Sequence, residues 1–199
     1  SGVLFALGKQ HPVPFISGGT SFDGSVFGIS GLSREDLLSI TEGQSDRMRQ
    51  LWGDDFAVSD EQGFSRFFGD VRYVYAAQNM TRSMQQVGRP AYLYMFEYVA
   101  PEQRDQVPGA AHAADQETMW TKFDLPIAAK MRNYWINFVK TGNPNGQGLP
   151  SWSAVTESKS AVWMVFGDKA MQKDNIHAEK MAFIDELWLA RVAPLLAPR

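Results

Sequence analysis

The sequence reads AYLYMFEYV at positions 91–99, between Pro90 and Pro101. The run is almost continuously apolar and rich in aromatic residues, which favours a β-strand over a helix of the same length. Strands that carry apolar side chains on both faces are typical of parallel sheets covered by helices on both sides. Positions 91–99 therefore predict the central strand of an α/β sheet.

Two shorter apolar runs predict the other strands of this sheet. Val13 to Ile16 leads into Ser17-Gly18-Gly19, which indicates a short buried strand followed by a turn that glycine permits. Positions 161–166 read AVWMVF and are closed by Gly167-Asp168, which indicates a short final strand. The sequence thus predicts three strands, which is a thin sheet for the amount of apolar helix surface around it.

Helical patterns lie between and after these strands. Ser33 is a polar N-cap before an acidic first turn, and it predicts a helix that carries Leu37, Leu38 and Ile40. Further helices are expected at 44–51, 60–67, 70–87 and 124–140, and near the C-terminus around Met181, Ile184, Trp188 and Val192. Strands that alternate with helices of this length indicate an α/β layered fold.

Composition bounds the kinds of partner and cofactor. The chain has 199 residues, of which 44% are hydrophobic, and this suits one globular domain. A net charge of −3 without a basic stripe argues against nucleic acid, and no apolar run is long enough to span a membrane. No cysteine, phosphate loop or metal-ligand spacing occurs, so we expect no metal or organic cofactor. The lack of cysteine slightly favours the cytoplasm and is also compatible with secretion.

His112 is the candidate on which a catalytic interpretation depends. It follows Pro108-Gly109-Ala110-Ala111, whose small side chains let another backbone approach closely. A predicted strand ends before this loop and a helix starts after it, so we expect the ring at the C-terminal edge of the sheet, where α/β active sites gather. A lone loop histidine is also commonly structural. The other histidines, His11 and His177, read as solvated or capping residues.

Asp23 is the matching acidic candidate. It lies in GGTSFDGS at positions 18–25, directly after the first predicted strand. Such an aspartate commonly makes an Asx-turn or a helix cap, and it also suits the acid of a Ser-His-Asp triad. Asp115 and Glu117 follow His112 closely and are alternative partners for it. No G-x-S-x-G elbow occurs, so a triad here lacks its nucleophile.

Several segments resemble the type-B carboxylesterase family of the α/β-hydrolase superfamily. FISGGTSFDGSVF at 15–27 resembles the segment in which the triad acid precedes a Gly-Ser pair, and YLYMF at 92–96 with GAAH at 109–112 resembles the strand and the catalytic-histidine loop. MRNYWINFVKTGNPN at 131–145 is similar to the signature helix of the family, and LPSW at 149–152 continues it. The segments occur in the family's order over nearly the whole chain.

The resemblance implies an α/β-hydrolase fold in which residues 1–199 are the C-terminal part of a single catalytic domain. It implies that His112 is the general base and acid of an ester hydrolase and that Asp23 orients its ring. The serine and the oxyanion loop of the family lie in the N-terminal half. We therefore expect this chain alone to be inactive on esters, and to need that half either as a second chain or as covalent sequence.

The chain also departs from the family pattern. Many relatives carry glutamate at the position of Asp23, and cysteines common in animal members are absent, which favours a bacterial-type enzyme. Some members of the superfamily have lost catalysis and act as adhesion or binding modules. That alternative stays open at this point, because the nucleophile position lies outside the 199 residues.

Overall fold

The computed structural model describes residues 2–156 and 161–196. Within them, one sheet contains the strands Phe15–Thr20 (β1), Ala91–Phe96 (β2), Val162–Phe166 (β3) and Ala170–Asp174 (β4). The strand order is β1-β2-β3-β4. The first three strands are parallel, and β4 runs antiparallel to β3. β2 pairs on both edges, which confirms the central strand predicted from positions 91–99.

Helices cover both faces of this sheet. The α-helices of the described residues are Gly2–Ala6 (α1), Arg34–Ile40 (α2), Ser45–Leu51 (α3), Gly53–Val58 (α4), Asp60–Gly69 (α5), Tyr75–Gln86 (α6), Ala114–Thr121 (α7), Pro126–Thr141 (α8) and Ala178–Leu196 (α9). Turns of 3-10 helix lie at Asp23–Ile29 and Pro101–Gln103, and a π-helical turn lies at Asp70–Val74.

The predicted helices are confirmed, with one internal difference. Ser33 caps α2 in a capping box, because its Oγ accepts from the Asp36 N–H while Asp36 Oδ2 accepts from the Ser33 N–H. The helix expected at 70–87 begins instead as the π-helical turn Asp70–Val74 and becomes α-helical at Tyr75. This wider turn has no signature in the hydrophobic pattern.

The structure adds elements that the sequence did not indicate, among them the helices α1 and α4 and the strand β4. Helix α4 fills the interval between the predicted helices at 44–51 and 60–67. Strand β4 follows the turn at Gly167-Asp168, so Val162–Phe166 is not the final strand. Four of the five residues of β4 are exposed, and such a strand lacks the apolar alternation by which strands are recognised.

The turn predicted at Ser17-Gly18-Gly19 is wrong, because both glycines lie inside β1. A Cβ on Gly18 would collide with the ring and carbonyl oxygen of Tyr94 on the adjacent strand. A Cβ on Gly19 would lie 2.6 Å from Oδ2 of Asp23. The glycines therefore provide room for a close neighbour within a strand rather than a change of direction.

Alternate residues of the central strands point into two separate cores. One core contains Leu93, Met95, Trp163 and Val165, packed against aromatic side chains of α5 and residues of α6 and α9. The other contains Tyr92, Phe96, Met164 and Phe166, packed against α8 and Trp152. Burial on both faces explains why β2 and β3 read as continuous apolar runs.

Candidate active site

The loops after β1 and β2 meet at one edge of the sheet. Because these strands are parallel, their C-terminal ends lie side by side. The Phe22 N–H donates to the Ala110 carbonyl at 2.8 Å, and the Ala110 N–H donates to Ser21 Oγ at 2.9 Å. The His112 N–H donates to Ser25 Oγ, also at 2.9 Å. These hydrogen bonds join the loop that carries Asp23 to the loop that carries His112.

Asp23 and His112 form a carboxylate–imidazole pair in this joined region. Asp23 Oδ1 lies 2.6 Å from His112 Nδ1, and Asp23 Oδ2 accepts from the Thr20 N–H at 2.7 Å. A carboxylate at this distance fixes the tautomer in which Nδ1 carries the proton. Nε2 is then the free acceptor, which can take up a proton from a substrate or a nucleophile.

The two residues differ in their access to solvent. The Asp23 side chain is 4% exposed, whereas the His112 side chain is 37% exposed. Burial raises the pKa of the Asp23 carboxyl, and the hydrogen bonds from the Thr20 N–H and from His112 oppose that rise. The arrangement thus places a buried acceptor behind an imidazole that is open on one side.

Tyr73 packs against the imidazole of His112. The two ring centroids are 4.6 Å apart and the ring planes are inclined by 36°. Tyr73 belongs to the π-helical turn Asp70–Val74, and the Val74 side chain of the same turn lies next to Gly19. Single π-helical turns are frequent at functional sites because they redirect side chains locally.

The structure separates Asp23 from the alternative acids. Asp115 is buried and accepts a hydrogen bond from the Tyr94 hydroxyl at 2.6 Å. Glu117 is exposed and lies 3.4 Å from the Lys122 ammonium group. Of the three carboxylates considered from the sequence, Asp23 is therefore the one that contacts the His112 ring.

The other histidines lie elsewhere in the fold. His11 is exposed on the segment before β1, and His177 directly precedes α9 with a φ of 55°. Within residues 2–156 and 161–196, no three side chains of the metal-binding types converge on one point. In the same residues, no helix combines the length and the apolar character that crossing a bilayer requires.

The sequence did not predict three residues at this edge of the sheet: Ser25, Tyr73 and Arg66, whose guanidinium donates to the Ser21 and Pro108 carbonyls. Ser25 belongs to the Gly-Ser pair that directly follows Asp23, and this pair could have indicated it. Arg66 and Tyr73 belong to helical segments far from both loops in sequence, so no local pattern relates them to His112. No described serine makes a hydrogen bond to the His112 ring.

Comparisons with known proteins relate the chain to carboxylesterases. The model of the carboxylesterase family matches residues 4–184. Carboxylesterase 1C of Rattus norvegicus is 27% identical over 158 residues, and Carboxylesterase 1C of Mus musculus is 28% identical over 143 residues. These alignments cover 73% and 66% of this chain.

Solved esterases have the same fold. Aspergillus niger EstA superposes with a TM-score of 0.70 at 15% identity, and the alignment covers 93% of this chain and 42% of the EstA chain. A structure described as PNB esterase gives 0.68 at 18% identity, covering 90% of this chain and 40% of its own. The α/β-hydrolase fold is thereby confirmed. The chain spans 28% of the rat relative and 25% of the mouse relative.

Proposed function

The chain belongs to the carboxylesterase family, and we propose that it supplies the acid and the base of a serine-dependent carboxylic ester hydrolase. The observation that carries the proposal is the contact of 2.6 Å between Asp23 Oδ1 and His112 Nδ1, at an edge where the imidazole stays accessible. In this proposal, residues 1–199 form the C-terminal part of one catalytic domain, and the nucleophilic serine lies in an N-terminal part.

His112 acts first as a base and then as an acid in this mechanism. Nε2 takes the proton of the serine as its oxygen attacks the ester carbonyl, and it then gives the proton to the leaving alcohol. Asp23 holds the Nδ1–H and stabilises the imidazolium that forms between these steps. Water resolves the acyl-enzyme by the same route, with His112 again as the base. In this mechanism the reacting groups are protein side chains, backbone amides, the ester and water.

The free edge of β1 supports an N-terminal partner. β1 pairs with β2 on one side, and among the described residues no strand pairs with its other side. A strand edge without a partner leaves backbone N–H and C=O groups available for pairing. In the proposed enzyme, the N-terminal part supplies that pairing, together with the serine and the backbone amides that bind the oxyanion.

Labelling with a fluorophosphonate probe tests this proposal on the full-length protein. We expect one serine outside residues 1–199 to be labelled, and we expect turnover of short p-nitrophenyl esters. The 199-residue chain alone should show neither. Labelling of a serine within residues 1–199 contradicts the proposed architecture. Absence of both labelling and turnover in the full-length protein contradicts the esterase and favours a non-catalytic binding module.

A further inference from the structure

Arg66 of α5 reaches both loops of the Asp23–His112 pair. Its side chain is 15% exposed. One terminal nitrogen, Nη1, donates to the Ser21 carbonyl, and the other, Nη2, donates to the Pro108 carbonyl at 2.8 Å. Ser21 stands two residues before Asp23, and Pro108 stands four residues before His112. One guanidinium group therefore bridges the loop that carries Asp23 (21–25, the acid loop) and the loop that carries His112 (108–112, the base loop).

The guanidinium of Arg66 is itself held in place on its remaining sides. Its Nε lies 3.2 and 3.3 Å from the two oxygens of Asp55, which is also buried. The Gln62 side chain donates to the same Asp55 carboxylate at 3.0 Å. The Arg66 guanidinium carbon lies 4.6 Å from the centroid of the Phe22 ring. Because a guanidinium is planar and its donors point in fixed directions, this anchoring also fixes the two carbonyl contacts.

A second set of contacts ties α5 to the acid loop. A Cβ on Gly24 would collide with the Ser65 carbonyl, and a Cβ on Gly69 would collide with the Gly24 nitrogen. The backbone of α5 thus lies directly against the residues that follow Asp23. Arg66 starts from a fixed helix position, and it spans the short distance from that helix to the base loop.

We propose that Arg66, anchored by Asp55, is a positioning residue that sets the distance and tilt between Asp23 and His112. The expected loss of kcat rests on the proposed function, whereas the expected change in the geometry of Asp23 and His112 does not. Arg66 contacts neither the His112 imidazole nor the Asp23 carboxylate, so it acts through the backbone of the two loops. Displacement of a reacting group by about 1 Å can cost roughly 100-fold in rate, which is the size of effect expected here.

The competing explanation is that Arg66 only neutralises the buried Asp55 carboxylate. Removing Arg66 alone cannot separate the two roles, because an unpaired buried charge destabilises the fold. The double variant Arg66→Met with Asp55→Asn removes this ion pair with a small change in side-chain volume, and it leaves the partly exposed Lys180 ammonium group, which lies 4.0 Å from Asp55 Oδ2. If Arg66 only neutralises Asp55, this double variant has the kcat of the wild type. If Arg66 positions the loops, the double variant stays folded but loses kcat.

The experiment compares this double variant, Arg66→Lys and wild type in the full-length protein. Arg49→Met is the matched control, because Arg49 also pairs with an aspartate, Asp60, and also lies over a phenylalanine ring, but it contacts neither loop. We expect the double variant to lose about 100-fold in kcat with KM nearly unchanged, and Arg66→Lys to lose less, since lysine can reach only one carbonyl at a time. Arg49→Met should keep the wild-type kcat.

Nitrogen NMR of the histidine side chains gives a readout that needs no turnover. In protein labelled with 15N-histidine, the signals of His112 are assigned by their absence in His112→Ala. We expect the wild type to show the Nδ1–H tautomer, and the double variant to show a mixture of tautomers. A double variant with wild-type kcat, or with an unchanged His112 tautomer, overturns the role of Arg66. If the full-length protein hydrolyses no ester, the proposed function fails, and the tautomer measurement alone then decides on Arg66.

Discussion

Oδ1 of Asp23 lies 2.6 Å from Nδ1 of His112, although 89 positions separate the two residues in the chain. The contact depends on the parallel pairing of β1 with β2, which brings both loops to the same edge of the sheet. It also depends on the hydrogen bonds that link Ser21 and Ser25 to the backbone of the base loop. The acid and the base are thus held by the fold rather than by their own side chains alone.

Substitution of His112 tests the base directly. In the full-length protein, we expect His112→Ala to lower kcat by on the order of 10⁴-fold or more, because the members of a triad act as a unit. The melting temperature should fall only slightly, since the ring is partly exposed and the Thr20 N–H still donates to the buried Asp23 carboxylate. Steady-state kinetics and thermal melts measure both effects. His11→Ala is the control, and a larger loss of activity in that variant would show that the wrong histidine was chosen.

The role of Asp23 is separable from that of Asp115. We expect Asp23→Asn to lower kcat by on the order of 10⁴-fold, because an amide no longer enforces the Nδ1–H tautomer of His112. Asp115→Asn should instead act on stability, since the Asp115 carboxylate accepts from the Tyr94 hydroxyl. The comparison requires kcat and the free energy of unfolding for both variants. A mild kinetic effect at Asp23 with a severe one at Asp115 would reverse the assignment.

The ring of Tyr73 is expected to stabilise the charged imidazole of His112. A cation over an aromatic face gains about 1 kcal/mol, so Tyr73→Leu should lower kcat by about tenfold or less. Tyr73→Phe keeps the ring and should retain nearly all of the activity. Equal losses in both variants would assign the effect to the hydroxyl group instead of the ring face. The kinetic measurements are made at the pH of maximal activity.

Tyr134 should make the fold sensitive to alkaline pH. Its side chain is fully buried, its hydroxyl donates to the Pro150 carbonyl, and burial raises its pKa to about 12. The stability from its neutral form is complete below the pKa of an exposed tyrosine, about 10, and is lost as pH rises from there through the folded-state value. Urea unfolding between about pH 8 and 11 measures this loss.

Tyr134→Phe is the matched variant for the alkaline effect. It should cost about 1 kcal/mol of unfolding free energy near pH 8, where only the hydrogen bond is lost. It should also make the decline of stability above about pH 10 shallower than in wild type. An identical decline in both proteins would mean that other groups cause it, such as Tyr75 and Tyr94, whose pKa values are also raised by burial.

The sequence predicted the elements whose apolar pattern is strong. Positions 91–99 and 161–166 read as continuous apolar runs because β2 and β3 are buried on both faces, and this burial is visible without the structure. The sequence did not predict β4, because it is a short edge strand whose side chains are mostly polar and exposed. The glycines of β1 suggested a turn because the pattern shows their freedom of backbone angle, but not the neighbouring Tyr94 ring that requires them.

In the candidate site, too, some residues could be predicted from local sequence patterns and others could not. Asp23 and His112 were identified from loop chemistry and from resemblance to a family, and the structure then placed them in contact. Arg66 and Tyr73 were not identified, because their effect on the site comes from a helix end and a π-helical turn packed against the loops. Contacts of that kind arise from tertiary packing, and local sequence patterns carry no information about them.

The two outer strands of the sheet differ in their charged side chains, and this difference determines which edge can pair with a further strand. β4 carries Lys173 and Asp174 and runs antiparallel to its neighbour, and charged residues on an edge strand discourage further pairing. β1 contains no charged side chain. In the 199-residue chain without the N-terminal part, intermolecular association should therefore start at β1 and not at β4.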